Sequence, residues 1–206
     1  MDLGFHVSAF ITLFVIVDPI GLAPVFVALT QGMGTRQRRA IGLRAAAIAV
    51  GLLTLFGIFG EKVLAFAGIS MPAFRIAGGI LLFLTALEML FERRSKKRED
   101  RAHEELPDPS VFPLATPLMA GPGAMATMIL LNGQIDRAPL DMLLIHLSMI
   151  AVIGICIALF LAASLLERAL GHTGIVVVSR LLGMLLAALS VQFILDGLRD
   201  FGLAPT

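Results

Sequence analysis

Six long apolar runs, separated by short polar stretches, organise the chain at roughly 6–30, 40–60, 73–91, 112–132, 139–165 and 177–197. Each comes close to or exceeds the ~20 residues that a helix needs to cross hydrocarbon. The pattern predicts an all-α membrane protein with six transmembrane helices and leaves nothing for a soluble domain. The first run begins at residue 6 without a basic leader or a small-residue cleavage site, so it reads as a span and not as a removable signal. Between the third and fourth runs, "ERRSKKREDRAHEELPD" (Glu92 to Asp108) holds twelve of the thirty-one Asp, Glu, Lys and Arg residues and reads as a loop. The chain divides accordingly into 1–91, a charged connection over 92–111, and 112–206, all within one membrane domain.

Composition strengthens this reading. Of 206 residues, 58% are apolar and 15% charged, and the mean hydropathy is +0.93, which leaves too little polar surface to cover a globule in water. Trp and Tyr are absent, so Phe, Arg and Lys must anchor the interfaces. The single cysteine, Cys156, lies in an apolar run and reads as a small buried hydrophobe; no intrachain disulfide can form. Six spans put the 1–2, 3–4 and 5–6 connections on one side. That side carries Arg36, Arg38, Arg39, Arg44, six basic residues of the 92–108 run, and Arg168, against Lys62, Arg137 and Arg199 on the other. The positive-inside rule then places both termini outside the cytoplasm. The basic half of the 92–108 run can meet anionic lipid headgroups, or the run is a solvated linker.

The two halves resemble each other. "DPIGLAP" (Asp18 to Pro24) has a counterpart in "GPGAMAT" (Gly121 to Thr127), each lying part-way into the first span of its half. "FRIAGGILL" at 74–82 corresponds to "SRLLGMLLA" at 179–187, and Glu61-Lys62 to Glu167-Arg168. Three spans per repeat is an odd number, so the second repeat must enter from the opposite face. The architecture expected is two inverted three-helix repeats. Arg75 and Arg180 then start the third span of each half near opposite faces.

Within Val17-Asp18-Pro19-Ile20-Gly21 and Met119-Ala120-Gly121-Pro122-Gly123, Pro removes a backbone donor and disfavours helix in the residue before it, while Gly permits a sharp turn. Spans 1 and 4 should therefore stop and restart near the midplane. A restarting half-helix offers N–H groups and a positive dipole end to an anionic group. Paired interruptions in corresponding places of inverted halves point to a transporter's substrate site. Asp18 either caps the half-helix beginning near Pro19, or meets a substrate ammonium or carries a proton, and these roles are compatible. Arg75 and Arg180 either snorkel at span ends or pair with acids in the bundle. Glu88 and Asp196 lie near span ends, where a solvated role competes with proton carriage. His146, within span five, is a buried hydrogen-bonded histidine or a titrating group. It has no Cys or His neighbours at ligand spacing, so no metal is expected. Gly78, Gly79 and Gly183 suit close helix contact. The sequence contains no G-x-x-x-x-G-K-[ST], H-E-x-x-H or G-x-S-x-G, so neither an ATP-driven pump nor an enzyme is expected, and no cofactor or nucleic-acid partner.

"DPIGLAPVF", "RIAGGILLFLTALEML" and "PLATPLMAGPGAMATMILL" resemble the MarC/SnatA family of six-span prokaryotic membrane proteins over nearly the whole chain. The resemblance implies a secondary transporter of small neutral amino acids such as glycine, alanine and serine in the cell (inner) membrane, working by alternating access with proton or Na+ coupling. The alternative is a channel, or an exporter of other small solutes or drugs. Carried over by position, Asp18, Pro19, Gly21 and Pro24, with Ala120, Gly121, Pro122, Gly123 and Ala124, would line the central site, beside Leu22, Ala126 and Thr127. Asp18, Arg75, Glu88, His146 and Arg180 are the candidates for coupling or gating. Two positions depart from the family pattern: Leu22 stands where Asn is common and Ala126 where Ser is common. Both remove a hydrogen-bonding side chain and favour a more apolar ligand, or one held by backbone N–H groups. The oligomeric state stays open.

Overall fold

In hydrocarbon each peptide group must bond within its own segment, so apolar runs of this length propagate as helices until a breaker or an interface stops them. The computed structural model describes residues 3–30, 32–91, 108–135 and 139–203, with the side chains of 164–168, 170 and 172 outside that description. Its elements are α1 (Leu3–Val17), α2 (Pro19–Leu29), α3 (Thr35–Phe66), α4 (Met71–Leu90), α5 (Ser110–Met119), α6 (Pro122–Gly133), α7 (Pro139–Leu161) and α8 (Ala163–Asp200). Five helical stretches are long and apolar enough to span a membrane: α1 with α2 as one 27-residue run, α3, α4, α7, and Thr173–Asp200 of α8. The pair α5 and α6, bent by 52°, makes six if counted as one span. No strand occurs among the described residues.

Two boundaries differ from those expected. Helix α3 begins at Thr35 and runs for 32 residues, so Arg36, Arg38, Arg39 and Arg44 lie on helix and not in a connecting loop. Arg is a good helix former, and at about 1.5 Å per residue α3 outreaches the hydrocarbon and carries its basic first turns beyond it. Arg38 is fixed there: its Nε donates to Thr30 Oγ1 at 3.0 Å, and its guanidinium lies 5.8 Å from the Phe26 ring centroid. Helix α8 begins at Ala163, takes up Glu167 and Arg168, and breaks at Gly171, whose φ of 63° lies in the left-handed region that glycine tolerates. Of the charged 92–108 run only Asp108 falls within the described residues. Its carboxylate accepts from the Ser110 hydroxyl at 2.6 Å and amide at 3.0 Å and from Arg44 Nη1 at 2.5 Å, which together hold it below the ordinary carboxylate range. These bonds tie the start of α5 to α3.

Packing is that of a bundle in lipid. Leu13, Leu22, Leu53, Leu82, Leu114 and Met128 are fully buried, while Leu55, Phe59, Val63, Leu84, Leu147 and Ile150 point outward. Helices α4 and α8 run antiparallel in close contact, and glycines set the distance. A Cβ on Gly79 would stand 2.9 Å from the Ser190 carbonyl oxygen, one on Gly183 3.0 Å from Met89 Cβ, and one on Gly197 3.0 Å from the Pro72 carbonyl oxygen. Such small-residue contacts let backbones approach where lipid offers no hydrophobic drive. Arg75, near the start of α4, closes one end of the pair by bonding Asp200 of α8.

Gly79→Val should therefore force α4 from α8 and cost about 1–3 kcal/mol. Gly154→Ala, with no atom within 4 Å of the added carbon, should leave stability unchanged. Thermal unfolding of both variants in detergent checks the pair, and equal melting temperatures would show that the close approach is not required.

Candidate functional site

The first interruption is a single residue wide. Asp18 takes φ 56°, ψ 63° between α1 and α2, and its Oδ1 accepts the Gly21 N–H at 3.1 Å. Asp is among the few side chains that tolerate this conformation. The ladder continues around it, with Asp18 N donating to Phe14 O at 2.9 Å and Leu22 N to Asp18 O at 3.0 Å. The role of Gly21 follows directly: a Cβ there would stand 2.2 Å from Asp18 Oδ2. The D-P-x-G pattern is thus a cap whose carboxylate needs the space above a glycine. Asp18 thus takes the capping role among its expected readings: its carboxylate accepts the Gly21 N–H, and its carbonyl accepts the first intrahelical bond of α2, from Leu22. Pro19 supplies the first helical residue, where its missing N–H costs nothing, and Pro24 lies inside α2.

The second interruption is wider than the sequence reading placed it. Phe112 (φ −132°, ψ 129°) and Thr116 (φ −130°, ψ 123°) are extended within α5, the conformation that residues before proline prefer. Leu114 N to Pro109 O (3.2 Å) and Ala120 N to Ala115 O (2.8 Å) close i to i−5 turns. Pro113 and Pro117 carry this signal in the sequence, so the break extends N-terminally from Gly121-Pro122-Gly123. At Gly121 a Cβ would stand 2.5 Å from the Pro117 carbonyl oxygen, so the chain folds back over that position. Helix α6 then starts at Pro122 with no side chain capping it, leaving the Gly123 and Ala124 N–H groups as its leading donors. One turn on, Thr127 is fully buried and its Oγ1 has no hydrogen-bond partner among the described residues.

The two breaks meet. A Cβ on Gly123 would lie 3.6 Å from Ile16 Cγ2, two residues before Asp18, and 3.3 Å from Leu82 Cδ2 of α4. Asp18 is 2% exposed and Leu22 is fully buried in the surrounding core. Ala126 faces α4, with its Cβ 3.8 Å from the point where a Cβ on Gly78 would stand. The site therefore pairs a buried carboxylate on one side with uncapped N–H donors and a hydroxyl on the other.

Cavities lie on either side of this centre. One of about 110 Å³, at the end of the bundle holding the start of α1 and the end of α8, is lined by Ser8, Thr12, Gln134, Gln192 and Asp196 among others. Thr12 is six residues from Asp18, about 9 Å along the helix. The other, about 130 Å³, lies at the opposite end beside Phe26, Thr35, Arg38 and Phe160. Phe26 and Phe160 stack at 4.4 Å with planes 6° apart. Of this lining the sequence singles out Asp196 and Arg38, and neither as cavity wall, because partners so far apart along the chain leave no local pattern. The same holds for His6 Nε2 and Asp141 Oδ1, 2.9 Å apart.

Apart from Asp18, the coupling candidates do not gather at the breaks. Arg75 is 9% exposed and pairs with Asp200 at the end of α8, whose side chain is 45% exposed, so this pair sits at the end of the bundle; Arg180 is exposed. Glu88 is half-buried near the end of α4. His146 stands against α3 and α6 and donates from Nδ1 to Met142 O at 2.8 Å. Among the described residues no group of three or more His, Cys, Asp or Glu is placed to hold a metal.

Fold and breaks together define a multi-pass helical membrane protein with two interrupted segments meeting in its core. The chain belongs to the MarC family: the model of the MarC family integral membrane protein matches residues 3–201. It is 38% identical over 204 residues to a UPF0056 membrane protein of Methanocaldococcus jannaschii, covering 97% of this chain and 98% of the relative. It is 35% identical over 193 residues to the UPF0056 inner membrane protein YhgN of Escherichia coli, covering 94% and 95% respectively. A UPF0056 membrane protein of Aquifex aeolicus is 36% identical over 202 residues, covering 94% and 92%. No solved structure matches the chain.

If the cap holds the first break, Asp18→Ala should lose about 1–2 kcal/mol, while Asp18→Asn, which keeps an acceptor and tolerates the left-handed conformation, should stay near wild type. Denaturant unfolding in detergent measures both, and an Asp18→Ala protein as stable as wild type would remove the cap from the account.

Proposed function

We propose that the protein is a secondary transporter of small neutral amino acids, with the zwitterion held between the two breaks. The observation that carries this reading is the pairing of opposite polarity across the Ile16–Gly123 contact: Asp18 on one side, and the uncapped α6 N-terminus with Thr127 on the other. An ammonium suits the carboxylate, and a substrate carboxylate suits the N–H donors and the positive dipole end. Ile16 and Leu82 crowd the space between them, which limits the side chain to a small one.

Alternating access fits the same geometry. The centre is closed by buried apolar side chains, with a cavity of mixed polar and apolar lining at one end and the Phe26–Phe160 stack beside a second cavity at the other. Substrate then enters from the first cavity past Thr12 and leaves when the stack parts. We take the halves to be inverted repeats; the antiparallel α4 and α8, with reciprocal glycine contacts, are the feature that supports it. In this reading the protein sits in the inner membrane, as the name of YhgN says of that relative, with both termini outside. Leu22 and Ala126 have packing roles, so neither sets the substrate.

Uptake of labelled glycine, alanine, serine and valine into liposomes containing the protein tests the proposal. Saturable uptake of the small substrates, reduced at least tenfold by Asp18→Ala and by Thr127→Val, is expected. Flux that does not saturate would make the protein a channel, and no flux of any amino acid would overturn the substrate class. Ala126→Ser should leave the ranking of substrates unchanged.

A further inference from the structure

Away from the two breaks, α3, α6 and α7 enclose a second group of polar side chains that the substrate site does not use. His146 of α7 donates from Nδ1 to the Met142 carbonyl oxygen. A carbonyl only accepts, so in the neutral ring the proton is on Nδ1 and Nε2 carries a lone pair. That Nε2 is buried and without a partner among the described residues. Asn132 of α6, 4% exposed, donates from Nδ2 to Met128 O at 2.8 Å, and its Oδ1 is likewise buried and unpartnered. Two acceptors are therefore buried with no donor, which native interiors avoid at a cost of about 1–3 kcal/mol each.

Glycine makes room for them. A Cβ on Gly57 of α3 would stand 3.1 Å from Asn132 Nδ2 and 3.2 Å from His146 Nε2, so the amide and the ring converge on one point. One turn along α3, Glu61 Oε1 lies 3.1 Å from the place of a Cβ on Gly133, the residue after Asn132. Of the other charged groups at this end of the three helices, Lys62 of α3 lies over Phe59 and Asp141 of α7 is engaged by His6 of α1. Helix α4 contributes the apolar Met71 beside Gly133.

We propose that Glu61, Asn132 and His146 form a proton-binding site distinct from the substrate site, with His146 Nε2 as the atom that takes the proton. The lone pair of Nε2 forms an N–H bond with a proton delivered from hydronium, which is left as water. Glu61, nearer the end of α3, is the carboxylate that passes the proton inward. The imidazolium then has a donor on each nitrogen: Nδ1–H keeps Met142 O, and Nε2–H takes the unclaimed Asn132 Oδ1 when the amide, whose Nδ2 faces the ring in the neutral state, turns over. Asn132 is nine residues from Gly123, about 14 Å along one short helix, so drawing Asn132 toward His146 acts on the element whose other end holds the substrate carboxylate. The coupling role rests on the transport reading; the proton site itself does not.

The full-length protein, carbon-13 labelled at its four histidine rings and held in detergent micelles, tests this by NMR between about pH 5 and 8. The His146 signal is assigned by its loss in His146→Gln. Conversion of that ring to imidazolium is expected within the range. Asn132→Leu should require about tenfold more protons for the same conversion and Asn132→Asp about tenfold fewer, one pH unit each way. Opposite shifts from two substitutions at one position separate an acceptor's effect from general loosening. A ring that stays neutral throughout, or one that titrates identically in all three proteins, overturns the proposal. In liposomes, wild-type uptake should rise as the outside is acidified, with a flat pH profile for His146→Gln. A pH profile unchanged by His146→Gln would remove the coupling role, and absence of any uptake would count against the transport reading alone.

Discussion

Every peptide group placed in hydrocarbon must find its partner inside the protein, and this chain breaks two of its spans under that rule. At the first break Asp18 brings its own acceptor: its carboxylate takes the Gly21 N–H that the turn would expose, its carbonyl starts the α2 ladder, and the ladder passes through with one residue out of line. At the second, prolines at 113, 117 and 122 delete too many donors for such a repair. The backbone instead forms wide turns sunk among buried residues such as Leu114, Ala115 and Met119. The surrounding helices follow from this need, because irregular backbone at that depth has to be wrapped in protein.

The two solutions leave unlike chemistry behind. Sealing the first break takes a carboxylate, so negative charge is fixed in the core. Leaving α6 uncapped keeps donors pointing out of its N-terminus. Had both breaks been sealed alike, the centre would offer either two carboxylates or none, and its two sides would not differ in polarity. Since charge buried in a membrane protein is costly unless it is paired or hydrogen-bonded, the cap on Gly21 also explains how Asp18 can be carried at 2% exposure.

The sequence made the spans and the capping role of Asp18 legible, because apolar run length and the D-P-x-G spacing are local signals. It also pointed to the pairing of Asp18 with Gly121 as interruptions in equivalent places. It could not say that Gly21 is there for the Asp18 carboxylate, that Gly57 gives space to Asn132 and His146, or that Gly79 and Gly183 bring two backbones together. One residue type serves three purposes, and which one applies depends on what packs opposite. The width of the second break was readable in Pro113 and Pro117 but was masked by the apolar residues between them. The cavity lining and the His6–Asp141 bond join residues more than a hundred positions apart, for which a single sequence holds no local trace.

Helix α6 is where these threads join. It is only 12 residues long, its first turn faces the Asp18 break, and its last turn carries Asn132 and Gly133. Along its length it is pressed against α3: a Cβ on Gly60 would stand 2.3 Å from Ile129 Cγ1, so the Ile129 side chain sits directly on the α3 backbone there. A helix clamped in this way cannot slide past its neighbour, because close-packed interfaces hold discrete arrangements instead of deforming smoothly. It can tilt or move together with α3, carrying both of its ends at once. Protonation of His146 as proposed, felt at Asn132, and a ligand bound at Gly123 would then bias the same motion, which is what coupling between two sites requires.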